Sequence, residues 1–140
     1  MRKLSLTALA STFALVAGIA SAQDIKVGVS VGEHAEIMEH VAEVAKTKGL
    51  NIDIIEFTDY VVPNQALNDG DLNANSFQHQ PYLDNQIKDR GFELVSIAKT
   101  ITTPMGVYSE KLKSLDDLPE GGKVALPNDP TNGGRALLLL

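Results

Sequence analysis

The chain has 140 residues, of which 44% are apolar and 21% charged, and it contains neither cysteine nor tryptophan. This is the composition of an ordinary soluble protein, and the lack of cysteine excludes a disulfide framework, a thiolate metal site and a cysteine nucleophile. The formal net charge of −6 makes nucleic acid and anionic membrane surfaces unfavourable partners.

The first 22 residues have the features of a signal peptide. Arg2 and Lys3 precede an apolar run, Leu9–Ile19, and Ala20–Ala22 supplies small residues before Gln23. Cleavage there leaves ten basic and 18 acidic residues, a net charge of −8. No cysteine follows the cleavage site to accept a lipid, so we expect a soluble periplasmic protein.

The mature chain begins with a strand–helix–strand pattern. Apolar residues alternate over Ile25–Val31, which is strand spacing, and recur every three or four residues over Glu33–Lys48, which is helical spacing. Gly49 then favours a helix end, and Asn51–Phe57 is a second strand. The sequence therefore predicts a parallel βαβ unit with a right-handed crossover.

The alternation continues with shorter elements. We expect a helix over Tyr60–Asp69, a strand over Leu72–Phe77, and a second helix that Pro81 opens and Gly91 ends. A further strand is predicted at Phe92–Ala98.

The last part of the chain contains two more predicted strands, Met105–Tyr108 and Lys123–Leu126, separated by a turn-rich link, Leu115–Gly122. The sequence stops in Ala136–Leu140, an apolar helical run without a cap, so we expect the natural protein to continue beyond it. Strands that alternate with helices predict an α/β fold with a mostly parallel sheet, whose ligands gather at the carboxyl ends of the strands.

One motif suggests an enzyme. Gly28–Gly32 matches the G-x-S-x-G pattern of a nucleophile elbow, between a strand and a helix, which makes an exported serine hydrolase that uses Ser30 an alternative. However, Ser30 is the eighth residue of the mature chain, so no upstream strand can supply the second oxyanion donor. We expect no catalytic activity.

A metal site is also weighed and rejected. Glu36 and His40 lie four residues apart on one helical face, but His34 and His40 are six apart and point in different directions. A solvated acidic face accounts better for this helix, and we expect neither metal nor cofactor.

Two stretches could form a binding site. In an extended strand, Asn75, Phe77 and His79 share one face, and Tyr82 follows in the first turn of the next helix. The alternative is that Phe77 is a core residue and His79 a surface residue.

The second stretch opens the last predicted helix. Asp129 or Thr131 can cap it, Pro130 suits its first turn, and its free backbone N–H groups favour an anion. Arg135 lies in the early turns, where its guanidinium could hold a carboxylate in a two-pronged grip. The alternative is that Arg135 pairs with a surface acid.

At these residues the chain resembles the NlpA-type methionine-binding proteins, the substrate-binding components of methionine ABC importers. The matching motifs are Phe57–Asn64, Asn73–Leu83 and Val124–Asn132, followed by Gly134 and Arg135. Together they span most of the mature chain.

The resemblance implies a two-lobed periplasmic binding protein fold of type II, here reduced to the first lobe and the start of the second. Residues 1–22 would be the signal peptide, 23–98 the first lobe, 99–109 the hinge crossing and 110–140 the start of the second lobe.

The resemblance also implies a function and a site. The protein would capture methionine and deliver it to an ABC transporter permease, without catalysis, as a monomer when full length. Arg135 would hold the ligand carboxylate, Asn128 would help at the polar end, and the thioether pocket would consist of Tyr60, Phe77, His79 and Tyr82. Another apolar amino acid, or a short methionine-containing peptide, remains a second possible ligand.

Overall fold

The computed structural model describes residues 23–140, so the predicted signal peptide lies outside the described residues. The elements in chain order are β1 (Gln23–Ser30), α1 (Glu33–Lys46), β2 (Leu50–Phe57), α2 (Val62–Asn68), β3 (Ala74–Ser76), α3 (Gln80–Arg90), a short 3-10 helix (Leu115–Asp117) and α4 (Pro130–Leu139). The predicted α/β fold is confirmed.

The three strands form one parallel sheet in the order β2-β1-β3. The central strand β1 pairs with β2 along its whole length, with Ile25 opposite Ile52, and pairs with β3 through only three residues. Since all three strands run in the same direction, their carboxyl ends lie at one edge of the sheet.

The core lies where α1 packs on β1 and β2. Val29 is fully buried, and Val27 and Ala35 are nearly so. Partly buried residues from α1 and all three strands surround this cluster, namely Ile25, Met38, Ile52, Ile54 and Ala74. The predicted βαβ unit is confirmed, and its packed core fixes the edge at which the loops meet.

Gly28 is a packing position in the central strand. A Cβ at this position would lie 2.6 Å from Leu72 Cδ1 and 2.9 Å from Phe57 Cε2. The absence of a side chain therefore lets two apolar side chains close over β1. This accounts for the first glycine of the G-x-S-x-G pattern without any catalytic role.

Helix α2 begins at Val62, two residues later than predicted, because the side chain of Asp59 holds the preceding residues in a turn. Asp59 Oδ1 accepts hydrogen bonds from the backbone N–H groups of Val61 and Val62, at 2.7 and 2.9 Å. These bonds hold the chain in a turn before the helix, which leaves Tyr60 outside α2 and exposed. By contrast, α3 ends as predicted at Gly91, whose φ of 71° is left-handed.

Three predicted strands are wrong. The ranges Phe92–Ala98, Met105–Tyr108 and Lys123–Leu126 form no strand in the described part of the chain. The physical reason is the absence of a partner, because β1, β2 and β3 complete the sheet among residues 23–140 and a strand exists only through its neighbours. Val95 and Ile97 are accordingly 79% and 85% exposed.

Candidate functional site

An open cavity of about 490 Å³ lies beyond the carboxyl ends of the strands. Its lining comes from the start of α1, from the loops after β2 and β3, from the start of α3, from the irregular segment near residue 103, and from α4 and the residue Pro127 before it. The lining residues are His34, Tyr60, Phe77, Gln78, His79, Tyr82, Ile101, Thr102, Thr103, Pro104, Met105, Pro127, Asn132 and Arg135. Five of the six residues predicted for the binding site are therefore in one cavity.

Asn128, the sixth predicted residue, is exposed and does not line the cavity. It precedes Asp129, the residue that caps α4, so it lies before the first helical turn. Inside the helix, residues three apart share a face, which brings Asn132 and Arg135 to the cavity together. The sequence signal for Asn132 was its spacing from Arg135.

Four rings form one side of the cavity. Phe77 stacks on Tyr60 with ring centroids 6.3 Å apart, and its edge meets Tyr82 at 6.1 Å and 77°. The imidazole of His79 stacks on the other side of Tyr82, at 6.4 Å. We call Tyr60, Phe77, His79 and Tyr82 the ring wall. Its rings are mutually oriented, as aromatic pairs at these distances prefer.

A hydrogen bond fixes the ring wall between two segments of the chain. The hydroxyl of Tyr82 donates to the backbone carbonyl of Tyr60, at 2.8 Å, and the Tyr82 side chain is only 4% exposed. Burial raises the pKa of the Tyr82 hydroxyl, and the nearby charge of Asp129 adds to this effect. Tyr82 therefore stays a neutral donor at neutral pH, and it joins α3 to the loop before α2.

A cluster of three amide side chains, one of them fully buried, adjoins the ring wall. Asn64 is fully buried and exchanges two hydrogen bonds of 2.7 Å with the amide of Gln78. The Asn75 amide also donates to Asn64 Oδ1, at 3.0 Å, and to the Pro63 carbonyl, at 3.3 Å. We call Asn64, Asn75 and Gln78 the amide cluster. It connects α2 to the segment that carries Phe77 and His79.

His79 is a neutral member of the ring wall. Burial and the positive charge of Arg135 lower the pKa of the imidazole, and the negative charge of Asp129 opposes them only in part. Its Nε2 atom is buried, and no hydrogen-bond partner for it lies within residues 23–140. A neutral, desolvated imidazole adds an apolar surface to the cavity instead of a second cation.

The backbone N–H groups at the start of α4 are not free, contrary to the expectation from the sequence. Pro130 has no N–H, and Asp129 Oδ1 accepts from the backbone N–H groups of Thr131 and Asn132, at 3.1 and 2.8 Å. The Gly133 N–H donates to the Asp129 carbonyl at 2.9 Å. Asp129 is therefore the cap, and the N–H groups of Thr131, Asn132 and Gly133 are already paired within the chain.

Asp129 is held as a carboxylate. Burial raises its pKa, but the hydrogen bonds from Asn132 and Thr131 outweigh burial and lower the pKa below the ordinary value. The side chains of Thr131 and Asn132 donate to Asp129 as well, at 2.6 and 3.0 Å. All of these donors come from the first turn of α4.

Arg135 reaches the cavity without an acidic partner. Its Nη1 donates to Asn132 Oδ1 at 3.1 Å. In the part of the chain that the structure describes, the ion pair within 4.0 Å joins His40 to Glu43 and does not involve Arg135. The alternative of a surface ion pair is thus not what the structure has, and the guanidinium keeps most of its donors free for a ligand.

The part of the lining that comes from the irregular segment, residues 101–105, was not predicted from the sequence. This segment has neither helical nor strand periodicity that would have placed it, and it is brought to the cavity by the path of the chain between β3 and α4. Gln78 was within the predicted stretch but had no predicted role. Its amide bonds to Asn64, which join the segment carrying Phe77 and His79 to α2, give it a supporting role in the ring wall.

The two weighed alternatives fit the structure poorly. Ser30 is the last residue of β1 and pairs with Phe57, so it lies in a regular strand and not on the sharp turn that a nucleophile elbow requires. Residues 23–140 contain no group of three acidic or histidine side chains that could hold a metal ion. His40 and Glu43, 3.6 Å apart, are both strongly exposed, as a solvated helix face would be.

Comparison with known proteins agrees with this geometry. Residues 25–140 match the family described as NlpA lipoprotein. The chain is 58% identical to the D-methionine-binding lipoprotein MetQ of Salmonella typhi over 117 residues, which are 83% of this chain and 43% of the relative. The chain belongs to the NlpA lipoprotein family, and it spans less than half the length of this relative.

Two solved structures show the same fold. The crystal structure of the methionine-binding protein MetQ is 55% identical, with a TM-score of 0.81 over 84% of this chain and 48% of that one. A nutrient-binding protein from Burkholderia cenocepacia bound to methionine is 60% identical, with a TM-score of 0.79 over 83% of this chain and 48% of that one. The fold class is therefore that of the NlpA-type binding proteins.

The comparison does not support the expectation of an unanchored protein, because the curated relatives are named lipoproteins. The present sequence has no cysteine. Among the helices of residues 23–140, none combines the length and apolar character needed to cross a bilayer.

Proposed function

We propose that the protein captures methionine in the cavity between the ring wall and α4 and delivers it to an ABC importer, without catalysis. One observation carries this proposal: the Arg135 guanidinium, which has no acidic partner in the described residues, lines the same cavity as four oriented rings. A cation and an apolar wall in one cavity match a carboxylate joined to an apolar side chain.

Each end of methionine then has a defined partner. The guanidinium of Arg135 would bind the carboxylate through two parallel hydrogen bonds, which its planar fork favours. The thioether would lie against the ring wall of Tyr60, Phe77, His79 and Tyr82, since sulfur packs favourably near ring edges. A neutral His79 suits this apolar end, because a charged imidazole would require water or a counterion there.

The relatives support the proposal. The Burkholderia cenocepacia protein, 60% identical in the matched region, is described as bound to methionine. The Salmonella typhi relative is named for D-methionine and as a lipoprotein. We therefore propose methionine as the ligand class here, and both enantiomers belong in the test.

We further propose that the cavity lies between two lobes. Residues 23–98 would form most of the first lobe, 99–109 the hinge crossing and 110–140 the start of the second lobe. In support, residues 101–105 line the cavity together with residues from α3 and from α4. Closure of the lobes would then exclude water from the guanidinium and the carboxylate.

The same proposal includes the cellular setting. The residues before Gln23 have signal-peptide features, which favours export to the periplasm and a membrane permease as the partner. The negative net charge makes nucleic acid an unfavourable partner. We expect the complete protein to be a monomer, because delivery of a ligand to a permease requires no second copy.

Calorimetry tests the ligand. Because the chain spans about half of its relatives, the test uses an extended protein in which residues 23–140 are followed by the part of the Salmonella typhi relative beyond the matched region. L-methionine and D-methionine are titrated separately, and we expect each to bind at one site with micromolar or tighter affinity. A cooperatively folded extended protein that binds no amino acid would overturn the proposal.

A norleucine titration distinguishes methionine from other apolar amino acids, because norleucine replaces the sulfur with a methylene of similar shape. If the thioether lies against the ring wall, norleucine binds more weakly by about 0.3 to 1.5 kcal/mol. Equal affinities for methionine, norleucine and leucine would favour a general carrier of apolar amino acids, and tighter binding of a methionine-containing dipeptide would favour a peptide carrier.

A fluorophosphonate probe tests the serine hydrolase. We expect no labelling of the protein and no difference between wild type and Ser30→Ala. Labelling that disappears in Ser30→Ala would replace the binding-protein proposal with an enzymatic one.

A further inference from the structure

Asp129 and Arg135 are connected through a single neutral side chain. The Asn132 Nδ2 donates to Asp129 Oδ2 at 3.0 Å, and the Asn132 Oδ1 accepts from Arg135 Nη1 at 3.1 Å. Asp129 caps α4, and Asn132 and Arg135 follow on the helix at intervals of three residues. The carboxylate therefore lies at the beginning of a chain of hydrogen bonds that ends at the guanidinium.

The donors and acceptors of Asp129 and Arg135 allow only one orientation of the Asn132 amide between them. A carboxylate only accepts hydrogen bonds, so the Asn132 amide must turn its NH₂ group toward Asp129. Its oxygen then faces the other way, toward Arg135, which only donates. If the amide turned around, oxygen would meet carboxylate oxygen and NH₂ would meet guanidinium, and both contacts would be repulsive.

Asp129 does not pair with the guanidinium directly, since among residues 23–140 no ion pair within 4.0 Å joins them, and its oxygens accept their hydrogen bonds from Thr131 and Asn132. This keeps a negative charge near Arg135 without placing it where a ligand carboxylate would bind. The Asn132 amide orients the guanidinium but carries no charge of its own. The positive charge of Arg135 therefore remains available to a ligand.

We propose that Asp129 is a positioning residue for ligand binding, which orients the Arg135 guanidinium through the Asn132 amide. This inference rests on the proposed function, since it concerns how the same site recognises a carboxylate. Capping of α4 and orientation of Arg135 are separate tasks of the two oxygens: Oδ1 accepts from the backbone of the first turn, and Oδ2 accepts from Asn132.

This division of tasks allows a sharp test in the extended protein. Asp129→Ser keeps an oxygen that can cap the backbone but removes the second oxygen that fixes the Asn132 amide. Thr131→Val is the matched control, because it removes a 2.6 Å hydrogen bond to the same carboxylate without touching Asn132 or Arg135. Both variants weaken the cap, but only Asp129→Ser disturbs the series of hydrogen bonds that leads through Asn132 to the guanidinium.

The main readout is the ratio of the dissociation constants of methioninamide and methionine, which measures how strongly the site recognises a carboxylate. We expect Asp129→Ser to lower this ratio about tenfold, within the range of coupling in one hydrogen-bond network. We expect Thr131→Val to leave the ratio unchanged. A ratio that both variants leave unchanged would reduce Asp129 to a helix cap and overturn the inference.

A second readout does not depend on the ligand. In ¹⁵N NMR spectra, we expect the side-chain signals of Arg135 to show increased motion in Asp129→Ser and wild-type order in Thr131→Val. If wild type binds no methionine, the proposed function fails, and these spectra still decide the inference. Unchanged Arg135 signals in Asp129→Ser would contradict it in either case.

Discussion

The two sides of the cavity are held in place by different means. The ring wall rests on buried contacts between segments far apart in the chain: Tyr82 bonds to Tyr60, and the fully buried Asn64 bonds to Gln78. The polar side depends on hydrogen bonds within one turn of α4, and Arg135 itself is exposed. The difference indicates that the shape of the cavity depends on tertiary packing, whereas its positive charge is positioned by a local helical motif.

This comparison predicts that substitutions on the polar side change binding much more than folding. Arg135→Ala in the extended protein should lower the free energy of methionine binding by about 2 to 5 kcal/mol, because a buried ligand carboxylate loses its partner. Arg135→Lys should also weaken binding, since an ammonium cannot form two parallel bonds. Calorimetry measures both affinities, and urea denaturation should give nearly unchanged stability.

Substitutions in the amide cluster should instead change folding more than binding, because they lower the free energy of unfolding. Asn64→Ala removes a fully buried amide and both of its 2.7 Å hydrogen bonds to the half-buried Gln78, so we expect the free energy of unfolding to fall by about 1 to 3 kcal/mol. Asn85→Ala, which removes an exposed amide that bonds to Asp89 within α3, is the control and should change stability by less than about 0.5 kcal/mol. Equal effects in urea denaturation would mean that the amide cluster does not support the wall.

Tyr82→Phe isolates the single hydrogen bond that closes the ring wall. The ring and its packing stay, but the Tyr60 carbonyl loses its donor, so we expect a loss of stability of about 0.5 to 1.5 kcal/mol. Tyr108→Phe is the matched control, because Tyr108 is 89% exposed. Thermal melts of both variants would contradict this account if the exposed hydroxyl mattered as much as the buried one.

The smallest predicted effect concerns the pH dependence of the cap. The pKa of Asp129 in the folded protein lies below its ordinary value of 3.8, so the charged form favours folding. Its stabilising contribution is complete above that value and is lost as the pH falls through the lower folded pKa. The difference in stability between wild type and Asp129→Asn should therefore be constant from about pH 8 to 5 and shrink below about pH 4.

Much of the fold could be predicted from periodicity. The βαβ unit, the Pro81 start of α3 and its end at Gly91 depend on local patterns, and the structure has them all. The strand predicted at Phe92–Ala98 failed because alternation shows only that a segment could pair. Whether a neighbouring strand exists is decided by the rest of the chain.

The residues of the candidate site could be predicted where they come directly after a strand or near the start of a helix. Tyr60, Phe77, His79, Tyr82 and Arg135 were found in this way, and all line the cavity. Asn128 was implied by the family resemblance and does not line the cavity, whereas Asn132, three residues before Arg135 on α4, does. The expectation of free N–H groups failed because the capping residue, Asp129, occupies them with its own carboxylate.

One measurement tests the central claim, that Arg135 recognises the carboxylate of a ligand whose side chain lies on the ring wall. Methionine and methioninamide are titrated into the extended protein and into its Arg135→Ala variant. We predict that loss of the ligand carboxylate weakens binding strongly in wild type and only slightly in Arg135→Ala, because the variant has already lost the partner. Equal losses in the two proteins would show that Arg135 does not bind the carboxylate and would contradict the account.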